Sequence, residues 1–245
     1  MCQLSLLFIT SGLLACTSSS PHLVSQVQPQ AAKTTFLCES ALREQRFIDA
    51  ANKMQVSKQD AQKLYRLSGA HKQDQVTGFA IASDRQATVE RAIQGLSDNE
   101  ISKAYYVEVD IRNLGGLNQK LGHNGADKVF SNLAKLTEQQ IQALASDSCS
   151  FRHGGDEFSF LVFGSEDSQQ DVEMALNKAS QKIQHYIAEQ GLSQIKHPKH
   201  PGDASKLGVG IIFGVSQIQI GEDIDRVFSA ADKLVEKKKL STSML

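Results

Sequence analysis

The sequence predicts a mixed α/β domain, an open sheet covered by helices. Three observations carry this: strand-like runs alternate with amphipathic helical runs from His71 onward, one tight hairpin is inserted among them, and no internal repeat is evident. With 245 residues and 40% apolar side chains, the chain can bury one sizeable domain and carry an appendage. Its 26 basic and 27 acidic residues nearly cancel, and aromatic residues make up only 6%. Neither the basic footprint of a nucleic-acid binder nor an acidic tail is present.

Residues 1–16, MCQLSLLFITSGLLAC, read as a leader. The apolar run from Leu4 to Ala15 is too short to cross a bilayer, which takes about 20 residues, and suits a signal-peptide core. Leu13, Leu14, Ala15 and Cys16 resemble a bacterial lipoprotein processing box, which makes Cys16 the lipidation candidate and predicts membrane attachment at the new N-terminus. No Lys or Arg precedes the run, so a plain secretory leader is the other reading. Residues 17–35, rich in Ser, Pro, Gln and Ala, form a flexible tether. Residues 36–71 form a helical lead-in: ESALREQRFIDAANKM and SKQDAQKLYRLSGA are two short helical patterns, with Gly69 as the stop of the second, and serve as a lead-in pair or a small dimerisation element. Cys2 and Cys16 belong to the leader, which leaves Cys38 and Cys149 as candidates for a disulfide in an oxidising compartment; two buried free thiols are the plainer reading. No spacing resembles a zinc site.

The domain itself occupies residues 72–245. TGFAIASDRQATVERAIQGL suggests a helix, and YYVEVDI, closed by Asn113 and Gly115, reads as a strand from its Tyr and Val content. Between Ala126 and Ala145, the residues Val129, Phe130, Leu133, Leu136, Ile141 and Leu144 share one helical face. The hairpin FRHGGDEFSFLVF follows. A second amphipathic helix is marked by Val172, Leu176, Ala179, Ile183 and Ile187, with Gly191 at its C-terminal cap. SQIKHPKHPGDASK is a loop, LGVGIIFGVSQI an apolar strand, and Ile224, Val227, Phe228, Ala231 and Leu234 carry a last helix.

The hairpin tip is acidic. Asp156 and Glu157 alone are explained by ordinary turn chemistry, since Gly-Gly-Asp favours tight turns. If the hairpin lies beside the strand ending at Asp110, however, Asp110 and Asp156 converge at one sheet edge and repel each other unless a cation sits between them. Oxygen-only donors favour Mg²⁺, which takes its remaining contacts from water and substrate phosphates, the chemistry of phosphoryl or nucleotidyl transfer.

RHGGDEF resembles the signature of the GGDEF-domain diguanylate cyclases. Further segments match in the family's order: DQVTGF at 74–79, DIRNLGGLNQKLGHNGAD at 110–127, IIFGVS at 211–216 and AADKLVEKKK at 230–239. The resemblance implies a palm-like α+β fold with a mostly antiparallel central sheet, and an activity that condenses two GTP into cyclic di-GMP and pyrophosphate within a homodimer. It implies that Asp110, the Ile111 carbonyl and Asp156 hold Mg²⁺ or Mn²⁺, and that the Asp156–Glu157 pair serves metal binding and activation of the attacking 3′-hydroxyl. Asn118 and Asp127 read guanine, Lys239 meets the triphosphate, and Gly122 and His123 shape the loop.

The residues depart from the family pattern at several places. Arg112 stands for a second Asp, Gly115 for a phosphate-holding Lys, Gln119 for another Asp and Ser243 for an Arg. Ala145 and Ser148 replace the Arg-x-x-Asp of the family's inhibitory site, so product feedback is not expected there. Glu108 falls on the strand face of Asp110, where an edge-facing position is the plain explanation, because a buried acid without a partner is expensive. The thinned phosphate grip motivates a second reading, a non-catalytic GGDEF-like module that binds guanine nucleotide or a partner protein. The leader motivates a third, an envelope lipoprotein acting as a structural adaptor, against which stands a cytoplasmic location with access to GTP.

Overall fold

The structure, a computed structural model, describes residues 36–68, 72–145, 147–163, 168–203 and 207–242. The leader, the tether, Cys16, Gly69 and Ser243 lie outside them. In chain order the elements are α1 (Glu39–Lys53), α2 (Lys58–Leu67), β1 (Ala80–Ile81), α3 (Ala82–Ser97), β2 (Ala104–Arg112), α4 (Leu114–Leu144), β3 (Ser148–Gly154), β4 (Glu157–Phe163), α5 (Gln169–Glu189), β5 (Gly210–Gln217) and α6 (Ile224–Thr242).

Strand β2 is buried along nearly its whole length because it lies between two neighbours and under helices on both faces. The sheet order is β1-β3-β4-β2-β5; β1 runs parallel to β3 and every other neighbouring pair is antiparallel. Side chains of a strand alternate between faces, and β2 divides accordingly. Tyr105, Val107, Val109 and Ile111 pack into one core with Leu133 and Ile141 of α4 and Leu176 and Ile183 of α5. Ala104 and Tyr106 join the other core, with Val89 and Ala92 of α3 and Val227 and Ala231 of α6. Glu108 and Asp110 continue the second set, so both acids belong to the face that α3 and α6 cover.

Two elements depart from the sequence expectation. The segment 77–96 opens with a turn and the two-residue strand β1 before its helix starts, because Ala80 and Ile81 pair with Phe151 and Arg152. Helix α4 starts at Leu114 rather than Ala126 and breaks at Gly122, which sits at φ 69°, ψ 168°. Asn113 makes the early start possible. It adopts φ 64°, its side-chain oxygen accepts from Gly116 N–H, and its amide donates to the carbonyls of Ile195 and Gly208 at 3.1 Å each. An N-cap of this kind stabilises a helix by about 1 kcal/mol.

At the other end of the sheet, Gly214 lets α6 settle on β5. A Cβ there would run into the Ala231 carbonyl oxygen and meet Leu234 Cβ at 2.9 Å, so any larger residue pushes α6 away.

The lead-in is fastened to the domain. Cys38 and Cys149 form a disulfide with Cα atoms 5.7 Å apart, which replaces the expectation of two free thiols. Around it, the Arg91 guanidinium donates to the Leu37 carbonyl at 2.7 Å, Glu39 N–H donates to Thr88 Oγ1, and Phe36 packs on Phe163 with ring centroids 4.5 Å apart. Arg43 of α1 pairs with the buried Asp84 of α3 at 2.5 Å.

Candidate active site

Because β2 and β4 are antiparallel with Asp110 directly opposite Glu157, the end of β2 and the start of the hairpin's return strand share one edge. The Ile111 N–H donates to the Asp156 carbonyl at 2.9 Å and fixes the tip against that edge. Asp110, Ile111, Asp156 and Glu157, named from the sequence, therefore come together. Burial pushes the Asp110 carboxyl above its ordinary range; Lys239 opposes that shift, and the negative charges of Asp156 and Glu157 add to it. Three carboxylates and a backbone carbonyl are gathered at this edge; they offer only oxygen, and the like charge of Asp156 and Glu157 beside Asp110 is what a hard divalent cation relieves, so the donor chemistry fits such an ion.

Lys239 reaches this edge from α6. Its ammonium lies 2.9 Å from Asp110 Oδ2 and 2.8 Å from Glu236 Oε1. Burial lowers its pKa, but the two carboxylates outweigh burial and hold the ammonium protonated above its ordinary range. The residue expected at a triphosphate is thus paired with the residue expected at the metal. Arg112, also on β2, leaves its buried Nε without a hydrogen-bond partner.

The two residues expected at guanine stand on either side of the α4 break. Half-buried Asn118 lies about one turn before Gly122, and exposed Asp127 a little over one turn after it. His123 is exposed beside the break and Gly115 is exposed in the first turn.

Several residues around the site were not assigned roles from the sequence. Arg152 ties the hairpin to the DQVTGF box: it lies 3.3 Å from Asp74 Oδ1, donates to the Gly155 carbonyl at 2.7 Å, and stacks over Phe130 at 4.1 Å. Asp74 accepts from Thr77 N–H at 2.7 Å and from the Thr77 hydroxyl at 2.8 Å. Burial would raise this carboxyl, but those donors and Arg152 hold it below the ordinary Asp value of 3.8. The signal for this pair was present in the two matching segments.

Glu108 is buried rather than edge-facing, and it has partners. The Tyr106 hydroxyl donates to its Oε2 at 2.8 Å and His153 Nε2 stands 2.9 Å from its Oε1. Burial, then the Glu108 charge, pushes the Tyr106 phenol far above its ordinary range. The other imidazole nitrogen of His153, Nδ1, is 3.6 Å from Glu157 Oε2. His153 reaches this position through a β-bulge: Arg152 pairs with Phe158 and Gly154 with Glu157, so two steps on β3 match one on β4.

A family model described as Diguanylate cyclase, GGDEF domain matches residues 71–244. No curated protein matches the chain. Among solved structures the chain is similar to the coiled coil and GGDEF domain of DgcB from Caulobacter crescentus in complex with c-di-GMP, at 18% identity and a TM-score of 0.57, over 81% of this chain and 94% of that one. It is likewise similar to the diguanylate cyclase SiaD in complex with its activator SiaC from Pseudomonas aeruginosa, at 18% identity and a TM-score of 0.56, over 82% of this chain and 70% of that one. At such identities the likeness speaks to the fold, the palm-like arrangement of a mostly antiparallel sheet between helices.

Proposed function

The chain belongs to the GGDEF-domain family, and on that premise we propose that it is a diguanylate cyclase, condensing two GTP into one cyclic di-GMP and two pyrophosphates in a homodimer. In each of two half-reactions a 3′-hydroxyl oxygen bonds to the α-phosphorus of the facing GTP, the bond from that phosphorus to the bridging oxygen breaks, and pyrophosphate leaves. The single observation that carries the reading is the register that sets Asp110 opposite Glu157, with the Asp156 carbonyl bonded to Ile111 N–H.

Asp110, the Ile111 carbonyl and Asp156 hold the divalent cation, Mg²⁺ or Mn²⁺. When bound, that cation orients the triphosphate and stabilises charge on the transferring phosphorus. Glu157, half exposed at the tip, accepts the proton of the attacking hydroxyl. Asp127 accepts from the guanine N1 and N2 protons and the Asn118 amide pairs with the base edge. Lys239 moves from Asp110 to the triphosphate. The purified full-length chain, incubated with GTP and Mg²⁺, is expected to form cyclic di-GMP by chromatography and to lose that activity in Asp156→Ala. Absence of product from a dimeric preparation overturns the reading.

A second reading, a non-catalytic guanine-nucleotide or partner-binding module, is favoured by two observations. Lys239 neutralises Asp110 within the chain, and the Cys38–Cys149 disulfide suits an oxidising compartment where cytosolic GTP is not supplied. It predicts GTP binding by calorimetry without turnover. On this reading the proposed leader (1–16), tether (17–35) and lead-in (36–71) deliver the GGDEF domain (72–245) to the envelope, with Cys16 lipidated. No helix among the described residues is long and apolar enough to cross a membrane. Fractionation of the chain and its Cys16→Ser variant tests the location.

A further inference from the structure

On the face covered by α3 and α6, beside the oxygen-only edge, Glu108, His153 and Glu157 each offer one ligand atom, and these atoms lie within 4.8 Å of one another. The side chains of Glu108 and His153 are each 10% exposed. Glu108 Oε2 is satisfied by Tyr106, while Oε1 and the facing His153 Nε2, both fully buried and 2.9 Å apart, form an ion pair only when the imidazole is protonated and are otherwise left without a hydrogen bond. With the imidazole neutral and Nε2 bare, two buried lone-pair atoms face each other, at a cost of about 1–3 kcal/mol each. A cation that accepts a lone pair from the imidazole and another from the carboxylate removes that cost. The bulge at His153 serves this arrangement, since it turns an imidazole from β3 across β4 to a residue of β2. The fit is to a borderline metal: an imidazole nitrogen with carboxylates suits first-row ions of the Zn²⁺ type, which bind N and O at about 2.0–2.2 Å, whereas Mg²⁺ takes oxygen donors.

We propose that Glu108, His153 and Glu157 form a binding site for a Zn²⁺-class divalent ion, separate from the oxygen-only edge of Asp110, Ile111 and Asp156. Glu157, with a side chain 48% exposed, is the ligand with freedom to close on the ion. Because Glu157 is shared with the proposed cyclase edge, occupancy withdraws it from the attacking hydroxyl, and Zn²⁺ inhibits turnover. That consequence rests on the cyclase reading; the site itself does not.

The test uses the tag-free full-length chain, stripped with chelator and titrated with Zn²⁺ by calorimetry in a Mg²⁺ background, without GTP. One equivalent is expected to bind, with affinity at least about tenfold lower in His153→Ala and in Glu108→Gln and unchanged in Asp110→Asn. Co²⁺ in place of Zn²⁺ is expected to show visible ligand-field absorption that His153→Ala removes. Circular dichroism melts check each variant; where His153→Ala is unfolded, Glu108→Gln decides, since its amide still accepts from Tyr106. Failure to bind Zn²⁺ above the Mg²⁺ background, equal affinity in the decisive variant, or equal loss in Asp110→Asn overturns the proposal. A chain that binds Zn²⁺ in this pattern but makes no cyclic di-GMP keeps the site and removes the cyclase.

Discussion

Asp74 shows how a single half-buried carboxylate organises the approach to the hairpin. It holds its own turn through Thr77 and the hairpin through Arg152. Its folded pKa is depressed, so the stability it contributes is present above the ordinary Asp value of 3.8 and is lost as pH falls through the lower folded value. Asp74→Asn is expected to destabilise the protein by about 1–2 kcal/mol at neutral pH, and the difference from wild type should shrink in melts below that value. Residues such as this were visible as parts of matched segments, but their partners were not. Arg152 and Asp74 are 78 positions apart, and nothing in local spacing joins them. The same holds for His153, whose role depends on a bulge that shifts one residue's direction; period-two alternation gives no sign of it. Asn113 was read only as the end of the strand before it, and its N-cap role stayed hidden with the helix start that it caps.

Among the elements, those with clean periodicity were legible: the GGDEF hairpin, β2, α5 and α6. The first part of α4 was not, because its glycines argue for a loop while burial of Leu117 and the anchoring of Asn113 hold it helical; tertiary contact overrides a propensity of about 1 kcal/mol per glycine. Helix α6 owes its closeness to the sheet to Gly214. Gly214→Ala is expected to cost roughly 2–3 kcal/mol in denaturant unfolding and to displace Lys239 from Asp110, read as a change in the Asp110 chemical shift. The attachment of α1 was not legible in the sequence, where two free thiols were the plainer reading of cysteines 111 positions apart. Cys149→Ser is expected to lower stability by about 2–5 kcal/mol, and hydrogen exchange should show α1 losing protection before the sheet does.

At the scale of the whole molecule, the palm-like sheet was readable through the family resemblance, and the meeting of acids at one edge through the condition that the hairpin lie beside the strand ending at Asp110, which the register meets. On the cyclase reading, turnover requires two copies, so activity per chain should rise with protein concentration through the dimerisation range, as measured by product formation alongside light scattering. The contact of Lys239 with Asp110 has a thermodynamic reach beyond its two residues. An ammonium already resident at the carboxylate must be displaced before a metal ion enters, which lowers the apparent affinity for the metal alone. On the cyclase reading a triphosphate would offer that ammonium a better partner and, in drawing it away, would vacate Asp110. On that reading metal and nucleotide would each improve the other's binding by one common factor, and the site would load as a pair or hardly at all.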